Sequence, residues 1–203
     1  MKNIFFLLFV LIGSTGFVVA QNNGDYKKTE FFVGYSNEHV EGADRSLHGF
    51  EVSGVYNFTR YIGVKGDFSA AFKTRRFTLP ALAGSPTPFT ATFRNTESLY
   101  NVLDGIQVKD NASKHRLSPF AHALFGLGAT RSKTGDFQCI PTACPPFATG
   151  TFSNTYFAAA LGGGLDIKIT KRLQLRVIQV DYNPLHSGFG TRKNVRISTG
   201  IVF

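Results

Sequence analysis

Between residues 50 and 72 the chain alternates with a period of two, and that rhythm limits the fold more than any other feature. Phe50, Val52, Tyr56 and Phe58 fall on one side, with Glu51, Ser53 and Asn57 on the other. After a turn at Thr59 and Arg60, Ile62, Val64, Phe68, Ala70 and Phe72 alternate with Lys65, Asp67 and Ser69. Successive side chains of a strand leave opposite faces, so each segment is a β-strand with one apolar side, and the two make a hairpin. Helical periodicity is nearly absent after residue 20.

The same reading gives eight strands, at 29–36, 47–58, 61–72, 96–108, 117–130, 152–169, 173–182 and 194–203. Their connections alternate between long (37–46, 73–95, 131–151, 183–193) and short (59–60, 109–116, 170–172). With the N-terminus on the short side, every long loop leaves at one rim. An even number of antiparallel strands of about ten residues, short turns at one end and long loops at the other, is the pattern of a transmembrane β-barrel. The expected fold is therefore all-β: an eight-stranded antiparallel up-and-down transmembrane β-barrel.

The N-terminus sets the compartment. Lys2, the apolar run Ile4 to Ile12 and the small residues Val18-Val19-Ala20 before Gln21 read as a cleaved secretory signal peptide over residues 1–20. The run is shorter than the roughly 20 apolar residues of a spanning helix. Residues 21–203 then form one barrel domain. Export to an oxidising compartment favours a local disulfide between Cys139 and Cys144, the alternative being two free thiols in a loop. Two thiols without a nearby histidine do not make a metal site.

The net charge is +9, or +8 without Lys2. An exported chain with scattered basic residues and no recognition module is not expected to bind nucleic acid. Anionic lipid headgroups or surface polysaccharide are the fitting partners, and Lys73, Arg75 and Arg76, following the third strand toward the long-loop rim, are the candidate contacts for lipopolysaccharide phosphates.

Alternation alone does not separate a membrane barrel from a soluble secreted one, since both have one polar and one apolar face. The sixth strand helps. Opposite its apolar face stand Ala158, Ala160, Gly162, Gly164, Asp166 and Lys168. Small residues followed by a charged pair suit the inside of an eight-stranded barrel, which is only wide enough for side chains to fill. Glu51, Lys65, Asp67, Arg176 and Arg196 share that polar face. Unpaired charge in a narrow lumen is very costly, so these seven residues are expected to form a salt-bridged interior, with any that lie near a rim hydrated instead. Tyr56, Phe58, Tyr61, Phe72, Tyr156 and Phe157 are the candidate interfacial aromatics, in a chain without Trp. The alternation breaks at Val177-Ile178, where a β-bulge would restore it, and the facing of His122 stays open because both sides of its strand are apolar.

Three classes of function remain: a structural or surface-interacting barrel, a narrow pore, and a lipid-modifying enzyme. For the last, His186 beside Ser187 is the most suggestive pair. Adjacent strand side chains diverge, and no acid stands nearby except Asp181, so the geometry is poor for proton transfer. The Gly162-Gly163-Gly164 run precedes no helix and is no phosphate loop. The first class is preferred, with no catalytic residue, cofactor or metal.

The signal peptide, the eight alternating strands, RLSPFAHALFGLGA, LQLRVIQVDY and the closing NVRISTGIVF together resemble the OmpA-like outer-membrane β-barrels, of the small porin-family type of Gram-negative bacteria. The resemblance implies location in the bacterial outer membrane, a monomer, and contact with outer-membrane lipid. In such proteins a final strand ending in Phe is similar to the signal read by the barrel-assembly machinery. Val195, Ile197, Thr199, Ile201 and Phe203 match that pattern, Thr199 least well. Larger relatives carry a peptidoglycan-binding domain after the barrel, and wall anchoring by that route is not expected here.

Overall fold

In the computed structural model, residues 26–40, 45–79, 90–140, 149–170, 172–187 and 190–203 are described. The expected signal peptide and Cys144 lie outside them. Eight strands follow in order: β1 (Thr29–Val40), β2 (Arg45–Asn57), β3 (Ile62–Leu79), β4 (Thr90–Lys109), β5 (Leu117–Ile140), β6 (Gly150–Lys168), β7 (Gln174–Ser187) and β8 (Gly190–Val202). Each pairs antiparallel with its neighbours in sequence, and β8 returns to β1 from Phe32↔Val202 to Val40↔Asn194, closing the ring. At the short-turn rim, Phe31 and Phe203 exchange two backbone hydrogen bonds of 3.1 and 2.8 Å.

The period-two pattern explains what the ring does with its side chains. Every strand presents apolar residues outward, among them Phe31 and Val33 on β1, Phe50 on β2, Val64 on β3, Val102 and Ile106 on β4, Phe125 on β5, Leu161 on β6, Val180 on β7 and Ile197 on β8, all exposed. Inward stand Glu51, Lys65, Asp67, Asp166, Arg176 and Arg196, all buried. A soluble barrel has the reverse distribution. From Ile62 to Phe72 the outward band of β3 covers ten residue steps, or about 25 Å once strand tilt is allowed for, the height of a lipid-facing belt.

Strand starts and ends at the short-turn rim agree closely with the sequence pattern, but at the other rim the strands run farther than expected. The β3–β4 ladder continues to Leu79↔Ala91 and β5–β6 to Thr134↔Gly150. Pairing of β2 with β3 stops at His48↔Phe72, and that of β6 with β7 at Phe157↔His186. Four strands therefore stand above the ring as an open sheet. Polar segments there, such as Arg131 to Ile140, are paired strand rather than loop because ladder hydrogen bonds do not require an apolar face.

Two local features set the register. The bulge expected at Val177-Ile178 is present: Leu165 pairs with Ile178 and Asp166 with Arg176, which leaves Val177 unopposed. Both bulge residues face outward and are exposed. On β6, a Cβ on Gly162 would stand 2.2 Å from the Val180 carbonyl oxygen, and one on Gly164 2.2 Å from that of Ile178. Only glycine lets β7 approach so closely. Tyr156 departs from expectation. Its neighbour Phe157 points outward at 55% exposure, so Tyr156, one residue away, must point inward, where it is 9% exposed and part of the core rather than of an aromatic belt.

Beneath the ring, Arg60 donates to both carboxylate oxygens of Asp110 at 2.8 Å, joining two short turns. This bond holds the Asp110 carboxyl down to about 2. The contact is present at neutral pH and is lost only as pH falls toward that value. Both groups are exposed, so solvent screens the pair.

Gly162→Val is expected to block closure of β6 on β7, whereas Gly66→Val, where a Cβ meets nothing within 4 Å, leaves the barrel intact. Gel migration of unheated against boiled samples checks this: a heat-shifted folded band should persist for the second variant and disappear for the first.

Candidate functional site

The lumen is filled by a chain of charged and amide groups. Near the short-turn rim, Lys109 Nζ donates to both Glu30 oxygens at 3.0 Å, to Asp166 Oδ2 at 2.8 Å and to Gln174 Oε1 at 3.1 Å. Asp166 also accepts from Arg176, at 2.8 Å from Nε and 3.2 Å from Nη2. The Arg176 guanidinium lies between the rings of Phe32 and Phe120, 4.4 and 4.1 Å from their centroids, so its faces meet π electrons and its edge meets a carboxylate.

The middle of the lumen belongs to Arg196. Its Nε and Nη2 donate to Asp181 Oδ2 at 3.0 and 2.8 Å, and its Nη1 to Asp67 Oδ1 at 2.8 Å and Ser69 Oγ at 3.0 Å. Gln179 joins the two halves. It accepts from Arg176 Nη1 at 2.7 Å and donates to Glu51 Oε1 at 2.9 Å and Asp181 Oδ2 at 2.7 Å. Lys65 Nζ stands 3.6 Å from Glu51 and 3.5 Å from Asp67. Ser198 Oγ donates to Glu51 Oε2 at 2.6 Å, and His122 Nε2 lies 2.8 Å from Asp181 Oδ1.

Of the seven lumen residues read from the sequence, Glu51, Lys65, Asp67, Asp166, Arg176 and Arg196 meet in this network. Lys168 does not. It lies two residues nearer the rim than Asp166, and its ammonium donates instead to the Ser113 carbonyl of the adjacent turn. Five members escaped the pattern. Glu30 sits at the start of its strand, and Lys109 one residue past the expected end of the fourth. Asp181 and Gln179 follow the bulge, which moves the inward positions of β7 from even to odd numbers. His122, whose strand is apolar on both sides, is placed inward by its contact with Asp181.

Above the network the lumen turns apolar. Leu47, Ala71, Leu99, Leu103, Leu124, Tyr156, Ala158, Ala160 and Leu185 pack into one buried cluster. The lumen is thus ionic below, with an apolar cluster above among which Glu38, Asn101, Asn183 and Asn194 are also buried.

On the sheet above the ring, Lys73, Arg75 and Arg76 do not form one patch. Lys73 and Arg75 pair with Glu97 and Asn95, on the inward face where Asn95 bonds Ser132 and Thr134. Arg76 is exposed on the outer face, opposite Arg94. Arg131 and Lys133 of β5 occupy that outer face too, level with Ser98 and Thr96. Arg94 is 3.3 Å from Asp136. Directly beneath lie Phe72 and Tyr100, edge to face at 5.8 Å.

His186 Nδ1 is 2.7 Å from Thr191 Oγ1, an exposed contact across β7 and β8. Among the described residues, no group of three or more His, Cys, Asp or Glu is placed to hold a metal ion. Cys139, near the end of β5, is disulfide-bonded. Val195, Ile197, Ile201 and Phe203 face outward and are exposed, and Thr199 Oγ1 donates to the Arg176 carbonyl at 2.9 Å.

No family model matches the sequence, and no curated protein matches it. Among solved structures, the chain is similar to Ail, the attachment invasion locus protein of Yersinia pestis, in complex with the heparin analogue sucrose octasulfate, at 18% identity and a TM-score of 0.49 over 86% of this chain and 97% of that one. It is similar to a major outer membrane protein from Thermus thermophilus at 12% identity and a TM-score of 0.49, over 87% and 99%. Neisserial surface protein A is similar at 12% identity and a TM-score of 0.48, over 87% and 96%. The assignment of an eight-stranded barrel rests on this chain's own ladders.

Arg196→Met is expected to leave Asp67 and Asp181 buried without their shared cation and to destabilise the barrel by about 3–5 kcal/mol. Urea unfolding from lipid vesicles, followed by tyrosine fluorescence, measures the loss.

Proposed function

We propose that this protein is a non-enzymatic integral barrel of the bacterial outer membrane that holds a surface position by binding lipopolysaccharide and acts through the sheet above its ring. The apolar outer belt supports the membrane location. A lumen crossed by the ionic network below and by the buried apolar cluster above it argues against a pore, and the engagement of His186 with Thr191 gives no support to a hydrolytic pair.

One observation carries the partner. Strand parity brings Arg76, Arg94, Arg131 and Lys133 onto the outer face of three adjacent strands, immediately above outward aromatics. Phosphates of a lipid headgroup lie at that height in a membrane whose hydrocarbon ends at the aromatic belt. Arginine forks and lysine points bind phosphate well at such an interface. Lys73 and Arg75, on the opposite face of the sheet, are withdrawn from this role.

Replacing Arg76, Arg131 and Lys133 together by Gln should lower the lipopolysaccharide that copurifies with the folded protein several-fold. Replacing Lys73 and Arg75 by Gln should leave it unchanged. Equal loss in both variants, or no loss in the first, would remove the assignment.

A further inference from the structure

Where the ring opens into the sheet there is a cavity of about 420 Å³. Its apolar lining is made by Val40, Phe152 and four buried members of the apolar cluster, Leu47, Leu99, Leu185 and Tyr156. Further members of the buried cluster, Leu103, Leu124, Ala158 and Ala160, lie beneath it. Its volume lies in the range of small-molecule sites.

The rest of the wall is polar and includes Glu97, Ser98, Thr130, Ser132 and Asn154, and within it two residues of β8 carry groups that the barrel leaves only partly engaged. Arg192 is exposed at the lip, its guanidinium 5.8 Å from the centre of the Tyr156 ring, and among the described residues it forms no ion pair within 4 Å. Asn194, two residues deeper, is 1% exposed. Its Nδ2 reaches Glu38 Oε1 at 3.4 Å, but its Oδ1 has no hydrogen-bond partner. A buried acceptor without a donor is uncommon enough to need a reason. Residues two apart on a strand share a face at a spacing of about 6.6 Å. Glu97, the cavity's carboxylate, is on β4, across the ring from β8, and its cross-strand neighbour is Lys73.

We propose that this cavity binds a small amphiphilic acid: a compact aromatic body against the leucines and Tyr156, an anionic group at Arg192, and an O–H or N–H donor on the deeper end that reaches Asn194 Oδ1. The three requirements come from separate features of the wall. The apolar lining takes up the body, the unpaired cation at the lip takes the charge, and the orphan acceptor sets both the depth and the need for a donor. The proposal rests on the filled lumen below, because a continuous channel would offer no floor.

The test uses the full barrel in lipid nanodiscs, titrated calorimetrically with 6-hydroxy-2-naphthoate, with empty nanodiscs subtracted for partitioning. Saturable binding to the wild type is expected. Arg192→Gln, an exposed change that leaves the lumen untouched, should weaken it at least tenfold. 2-Naphthoate, lacking the donor, should bind several-fold more weakly, and Leu185→Trp, filling the cavity, should abolish binding while keeping the heat-shifted gel band. Equal binding by wild type and Arg192→Gln, or equal binding of inorganic sulfate, would overturn the proposal, as would no saturable binding to the wild type. Ion conductance of the same preparation separates the two readings, since a conducting barrel fails the filled lumen and a closed barrel without binding fails only the cavity.

Discussion

A charge placed inside an eight-stranded barrel has to find its counter-charge on another strand. Desolvating an ion costs several kcal/mol, and only close, fully hydrogen-bonded partners offset it. Here the obligation runs through the whole ring: Glu30 on β1, Glu51 on β2, Lys65 and Asp67 on β3, Lys109 on β4, His122 on β5, Asp166 on β6, Arg176, Gln179 and Asp181 on β7, and Arg196 on β8 all belong to one connected set. A slip of one residue in any strand would turn its member out toward the apolar belt. The network therefore fixes register as well as filling space. The outer face is mostly apolar, with Asp104 exposed between Val102 and Ile106, and the network adds to the two-residue alternation in discriminating one register from the next.

The interior is divided because the two halves have different tasks. The ionic lower half ties the strands together where the ring is complete. The apolar upper half, from Leu103 and Leu124 up to Leu99 and Leu185, seals it and forms the floor of the mouth. Above that level β3 to β6 continue alone. Their outer face is basic, while on the inner face Phe77, Phe93 and Phe137 stack at 5.3 and 5.5 Å. In the function proposed here, that raised and chemically distinct sheet is the part that meets what lies outside the membrane.

Strand number, order and facing were legible wherever two-residue alternation was uninterrupted. Phe50 to Phe72 is the clearest case. Legibility failed for three physical reasons. A bulge at Val177 reverses the parity that follows, hiding Gln179 and Asp181. Above the lipid belt neither face needs to be apolar, so the ends of β3 to β6 looked like loops, and Lys73, Arg75 and Arg76 looked like one cluster though they lie on two faces. His122 sits in a strand apolar on both sides, where only a partner from elsewhere in the sequence decides its direction.

Single-channel recording in planar bilayers tests whether the side chains inside the ring close the lumen to ions. The wild-type barrel should show no stable ionic conductance, while a variant with Lys65, Arg176 and Arg196 replaced by Ser should open conducting events if it folds. Steady conductance by the wild type, with discrete levels and the heat-shifted band of a folded barrel, would show that the lumen is open.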